Sequence, residues 1–279
     1  MLIFVYGDDT FRVQEKVKHM KEAFRVKFDS TGLNTAEYPT DGKPKLEVGE
    51  VFGSIRSLPF LGQKRMVIVR DLIANTKKPD MGVWEKGFLN APDSTIVVFW
   101  ETLEPKELEK KPLFVALKKA ADVHAYPFPE LESAQLQRWV ADRVKVRGGS
   151  VSPSALGVLC ERVGGDLWAM DHEISKLVAY ASGGEISRIM VDELVPVSFE
   201  EKIFELMDAI SQKRKADAIQ MLSNERSAGS DDHYLLTMLG RQVRILLGAR
   251  SMLDENPRTT KETLATALSV HPLVGLKAL

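Results

Sequence analysis

The chain has 279 residues, 44% hydrophobic and 28% charged, with 38 Lys and Arg against 39 Asp and Glu. That balance argues against a dedicated nucleic-acid binder, which carries a clear basic excess, so any DNA contact is local or borrowed from partners. A single cysteine, Cys160, excludes an intrachain disulfide and a cysteine-based metal site, and the lack of a signal-peptide core or a membrane-length apolar run leads us to expect a cytoplasmic, soluble protein.

In chain order, the first 130 residues alternate short apolar runs with helical patterns. Strands are expected at Leu2–Tyr6, Thr35–Tyr38, Met66–Arg70, Thr95–Trp100 and Val123–Tyr126. MVIVR and TIVVFW are nearly continuous apolar runs, the pattern of parallel strands covered on both faces. Helices are expected at Thr10–Phe28, Glu47–Ser57, Met81–Leu89 and Leu113–Lys119, and the alternation predicts an α/β layered domain. The charged run Pro105–Lys111 reads as solvated surface.

After Tyr126-Pro127-Phe128-Pro129 the strand signal almost vanishes. Leu136, Trp139, Val140 and Val144 share one helical face that ends at Gly148-Gly149. Ser152 and Pro153 open a second helix that carries Cys160 among apolar neighbours, where a buried thiol is expected rather than a nucleophile. Asp166 caps a third, with Leu167, Met170, Ile174 and Leu177 as its apolar stripe. RIMVDELV supplies a short fourth.

A further helical region spans Glu201–Ser211, Lys215–Ser227, Asp232–Met252 and Thr259–Leu268. It finishes on HPLVGLKAL, an apolar pattern without a closing cap, which reads as a shortened domain.

Chemistry-bearing motifs are scarce. A phosphate loop needs glycines that let backbone N–H groups close on phosphate, and a lysine to neutralise it. The first strand-to-helix corner instead reads Gly7-Asp8-Asp9-Thr10, so carboxylates stand where an anion would sit and one of these residues caps the helix. The five histidines are scattered, and Asp171-His172-Glu173 is expected on an exposed helix face. No catalytic residues, cofactor or metal are assigned.

One apolar stretch is out of place. Leu58, Phe60 and Leu61 lie in a connection that Pro59 and Gly62 keep irregular. They either tuck under the preceding helix and seal the core, or form an exposed wedge for a partner.

Several segments together resemble one family. LIFVYGDDTFRVQE, SLPFLGQKRMVIVRDL, ERVGGDLWAMDHEISKLVAY, EEKIFELMDAI and LLTMLGRQVRILL stand in the order found in the delta subunit of the bacterial DNA polymerase III clamp loader. The resemblance implies a RecA-like (AAA+-like) α/β domain over 1–130 with a degenerate nucleotide site, an all-α lid domain over 131–198, and an all-α collar domain over 199–279, apparently truncated.

It further implies a non-catalytic subunit that binds the sliding clamp (the beta subunit) and helps open it for loading onto primed DNA. Its other partners would be the gamma/tau ATPase subunits and delta-prime, with primer-template DNA met through the complex, as part of the polymerase III holoenzyme. No ATPase activity is expected. Arg70-Asp71 replaces the magnesium-holding acidic pair, and Asp166 stands where active members carry a phosphate-sensing arginine. The clamp contact falls on Leu58, Phe60 and Leu61. Gln212–Lys215 and Arg241, Arg244 and Arg250 are the basic features of the last region, better suited to packing or to contacts between subunits than to DNA. The alternatives are a nucleotide-dependent AAA+-type enzyme and a stand-alone DNA-binding protein; the latter would show a steep salt dependence of duplex affinity.

Overall fold

The computed structural model describes residues 1–39, 46–196, 205–210, 212–227, 231–256, 259–260, 263–264 and 267–268. The backbone groups into two compact units, residues 1–191 and 192–279.

The first unit begins with five parallel strands: β1 (Leu2–Tyr6), β2 (Thr35–Tyr38), β3 (Arg65–Arg70), β4 (Thr95–Glu101) and β5 (Val123–Pro127), in the order β2-β3-β4-β1-β5. The crossover helix α1 (Thr10–Phe28) carries the chain from β1 to the far edge, whereas α2 (Val48–Arg56), α4 (Lys78–Leu89) and α6 (Pro112–Leu117) return it the other way. Opposite directions of travel with one crossover hand put these helices on opposite faces. Val13, Val17 and Phe24 of α1 accordingly meet Ile3, Val5, Ile68 and Val98. Val51, Ile55, Trp84, Phe88 and Phe114 cover the other face, on Phe4, Val67, Val69, Val97 and Phe99. This is the RecA-like α/β architecture, and the near-continuous apolar strands are those covered on both sides.

The strand and helix periodicities place these elements to within a few residues of the sequence expectation. Two short helices escape it: α3 (Leu72–Asn75) and α5 (Pro105–Leu108). The second lies in Pro105–Lys111, where Lys106, Glu107, Glu109 and Lys110 face water as expected of a charged run, while Leu108 is buried in the main core. One turn of helix with a single inward face shows too little period to be recognised.

The same unit continues as a helical bundle of α7 (Ser133–Val146), α8 (Pro153–Val163) and α9 (Leu167–Ala181), and α10 (Arg188–Leu194) begins at its end. Ser152 caps α8 through the Ala155 N–H, and the Asp166 carboxylate caps α9 through Trp168 and Ala169 at 2.9 and 3.1 Å. Leu136, Val140, Val144, Leu159, Met170, Ile174 and Leu177 form the bundle interior. The strand-free expectation needs one correction: β6 (Ser150–Val151) and β7 (Glu185–Ile186) pair in parallel and tie the start of α8 to the end of α9. Strands of two residues leave no alternation to read.

In the second unit a helical segment at 205–210 precedes α11 (Lys215–Ser227) and α12 (Asp232–Glu255). Leu206, Ala209 and Ala218 form a small core with Met207, Leu222 and Leu239 against it. The first residues of the expected Glu201–Ser211 helix, much of Thr259–Leu268 and the terminal HPLVGLKAL lie outside the described residues. Among the described residues, no helix is long and apolar enough to cross a membrane.

Candidate functional site

In open α/β sheets, ligands favour the carboxyl ends of the strands, where neighbouring connections diverge. Here that point lies between β1 and β4, and the chain fills it with its own groups. The Phe128 N–H donates to the Tyr6 carbonyl at 2.7 Å, and the Phe128 carbonyl accepts from Asp9 N at 3.3 Å. Gly7, at φ +153°, is required by that approach: a Cβ there would stand 1.9 Å from the Phe128 carbonyl oxygen. Asp9 is the helix cap, its carboxylate accepting from Arg12 N at 2.9 Å and pairing with the Arg12 guanidinium. Asp8 brings a second carboxylate, one oxygen of which is buried without a hydrogen-bond partner. A phosphate at this corner would meet two carboxylates, and the N–H groups of Asp9, Thr10 and Arg12 are already bonded within the chain.

The neighbouring strand ends are equally self-contained. Asp71, at φ +48°, turns its carboxylate to Thr102, accepting from its N–H at 2.9 Å and its hydroxyl at 2.8 Å. Arg70 lies over the Trp100 ring, 4.1 Å from its centroid. Glu101, fully buried at the end of β4, accepts from Ile73 N at 2.7 Å and Ala74 N at 3.0 Å and so caps α3. Burial pushes its carboxyl up to about 8, against the pull of those N–H groups. Tyr6 donates to Glu109 at 2.6 Å, and its hydroxyl is raised by burial and by that carboxylate. Among the described residues no three His, Cys, Asp or Glu side chains gather as a metal ion would need.

The junction of the α/β layer with the bundle is also closed. Phe11 packs edge-on to Trp139 and Trp168, with centroids 5.5 and 4.9 Å away, and Trp168 Nε1 donates to Thr10 Oγ1 at 3.0 Å. Arg143 of α7 reaches both Glu15 of α1 and Asp171 of α9, and Arg147 adds a second bond to Asp171 at 2.6 Å. This corrects the expectation that Asp171-His172-Glu173 rides an exposed face: His172 is exposed, but Asp171 is mostly covered and structural. Burial alone would raise its carboxyl, yet the hydrogen bonds from the two arginines hold it below the ordinary range. Its partners lie 24 and 28 residues away, too far for helical spacing to reveal. Cys160 is half-buried, and burial lifts its thiol to about 11, which leaves it unreactive.

The opposite end of the sheet is different. Leu58, Phe60 and Leu61, between α2 and β3, are 84%, 55% and 86% exposed, so they do not seal the core. Leu61 sits at φ +49°, a conformation that branched and bulky residues rarely adopt. The loop is nevertheless fixed: Phe60 N–H donates to Asn34 Oδ1 at 2.6 Å, and Asn34 Nδ2 donates to the Phe60 carbonyl at 2.8 Å. Three apolar side chains within four residues of one another are thus presented to water on a fixed loop. Sequence spacing could single out these residues; the Asn34 clasp, 26 residues away, left no signal in it. In the second unit, Arg214 bonds Asp217 at 2.8 Å and Gln212 at 3.1 Å, and Arg250 pairs with Asp254 at 3.1 Å, so these cations serve local helix contacts.

Comparison with known proteins identifies relatives for both units. The family model for the delta subunit of DNA polymerase III matches residues 4–126, and the model for the C-terminal domain of the same protein matches 200–279. The DNA polymerase III subunit delta of Bacillus subtilis is 23% identical over 280 residues, an alignment covering 96% of this chain and 77% of the relative. The Escherichia coli protein of the same name is 28% identical over 126 residues, covering 45% of this chain and 37% of its own length. Among solved structures, the Bacillus subtilis DNA clamp loader delta protein superposes with a TM-score of 0.62 at 21% identity, over 100% of this chain and 82% of that one.

Proposed function

The chain belongs to the DNA polymerase III delta subunit family, and from that premise we propose that it is a non-catalytic clamp-loader subunit that binds the sliding clamp through Leu58, Phe60 and Leu61 and helps open the ring. The observation that carries this reading is the exposure of the three side chains on a loop whose backbone is already held. Phe60 is the leading anchor, because an aromatic side chain filling a partner pocket brings the largest apolar area at low entropic cost. Opening follows from differential affinity. A protein that binds the open interface better than the closed one shifts the ring toward open by that difference.

The division into an α/β domain (1–130), a lid (131–198) and a collar (199–279) fits this role. In it the first domain meets the clamp, and the collar meets the gamma/tau ATPase subunits and delta-prime. The same reading gives this chain no active part in ATP turnover. A corner occupied by the Phe128 carbonyl and two carboxylates favours no nucleotide, and DNA is met through the assembled loader.

The test is equilibrium binding of the chain to its cognate clamp. Phe60→Ala combined with Leu58→Ala is expected to weaken the complex about 30-fold or more, the scale of a lost hot spot. Because both side chains already face water, thermal stability should stay near that of the parent. Undiminished clamp affinity in the folded double variant would refute the site. Magnesium-ATP should produce no saturable thermal shift, and a shift at micromolar nucleotide would favour the enzymatic alternative.

A further inference from the structure

We infer that Asn34, held in turn by Asp29, is the positioning residue that presets the Phe60 loop for its partner, so that the clamp-binding surface is built before the clamp arrives. The inference rests on the assignment of that loop to clamp binding and adds residues from a different segment, the turn between α1 and β2.

Phe60 receives and gives one hydrogen bond, both to the Asn34 amide, at 2.6 and 2.8 Å. A single side chain therefore fixes both polar groups of the anchor residue's backbone. Asn34 is itself 1% exposed and immobilised: Asp29 Oδ2 accepts its N–H at 2.9 Å, and Asp29 Oδ1 accepts its side-chain amide at 3.1 Å. Thr31 and Thr35 donate their hydroxyls to the same carboxylate; burial would raise it, but the four donors hold it below the ordinary range. Gly62 closes the arrangement: a Cβ there would stand 3.0 Å from the Phe28 carbonyl and 3.2 Å from Asn34 Nδ2, so the loop lies directly on the end of α1.

The chain thus commits a buried carboxylate and a buried amide to a loop whose apolar side chains contribute nothing to the core. A core does not need that investment, but a docking loop does. Ordering a loop on binding costs affinity, and a loop already ordered retains it. Leu61 at φ +49° fits the same account, since a rare backbone state persists only where its surroundings hold it.

A double-mutant cycle in the full chain tests this. Asn34→Ala should weaken clamp binding about tenfold by restoring the ordering cost, while amide protection in β3 and β4 stays unchanged. In the Phe60→Ala background the same substitution should change affinity less, because the side chain that gains most from the preset backbone is gone. An equal loss in both backgrounds, or no loss in the parent, would overturn the inference while leaving the loop's role intact. A Phe60→Ala variant that binds as tightly as the parent would instead overturn the assignment of the loop itself. A second readout needs no substitution. Hydrogen exchange of the clamp-free parent should show the Phe60 amide protected; an amide exchanging at the rate of an open chain would refute a preset loop whatever the variants do.

Discussion

Glu101 shows how much one residue can reveal about this unit's chemistry. Its carboxyl lies fully buried at the end of β4, and burial lifts it from an ordinary 4.5 to about 8. The folded chain therefore holds a proton there that the unfolded chain has released, and stability falls as pH rises through that window. Glu101→Gln removes the titration while keeping one acceptor for the Ile73 and Ala74 N–H groups. Its thermal midpoint should decline less than that of the parent between about pH 4.5 and pH 8; parallel curves for the two proteins would contradict a proton-bearing Glu101. Asp29 carries the opposite sign. Burial would raise its carboxyl, but hydrogen bonds from Asn34, Thr31 and Thr35 hold it low, so its contribution is present above the ordinary carboxylate range and lost only as pH falls through the lowered value.

The informative contacts between elements are those of α1, α7 and α9. Arg143 of α7 bridges Glu15 and Asp171 from the other two helices, with the Phe11, Trp139 and Trp168 rings packed beside it. Its guanidinium is mostly covered, so removing it takes this partner from Glu15 and leaves Asp171 with Arg147 alone. Arg143→Ala should cost about 2 kcal/mol, between the value of an exposed pair and that of a fully buried one, measured by denaturant unfolding. Arg143→Lys should recover only part of this, since an ammonium cannot reproduce the planar fork that meets two partners. Much of α9 was visible beforehand: the cap at Asp166 and the stripe of Leu167, Met170, Ile174 and Leu177 are local patterns. That Asp171 turns back to two arginines of another helix was not, because hydrogen bonds at such separation have no period.

At the scale of the whole molecule, residues 1–191 form a compact unit with both sheet faces covered and the bundle interior closed. Expressed alone, that segment should unfold in one cooperative transition seen equally by far-ultraviolet circular dichroism and by tryptophan fluorescence. Two separated transitions would mean that the Arg143 and Trp168 contacts do not join layer and bundle. The loop of Leu58, Phe60 and Leu61 belongs to this unit, so its proposed role does not require the second one.

Sequence alone determined the kinds and order of the longer elements, because strand alternation, helical stripes and caps are written in residues two to four apart. It also determined what the first corner lacks, since a phosphate loop cannot be built from Gly7-Asp8-Asp9. Tertiary structure decided what distance along the chain hides. It put the Phe128 carbonyl into that corner, buried Glu101 against α3, and covered Leu108 inside an otherwise charged run. It also decided the fate of Leu58, Phe60 and Leu61. Their pattern fits an inward seal as well as an outward wedge; the fold leaves the apolar side chains in water, with Asn34, a residue 26 positions earlier, bonded to the Phe60 backbone.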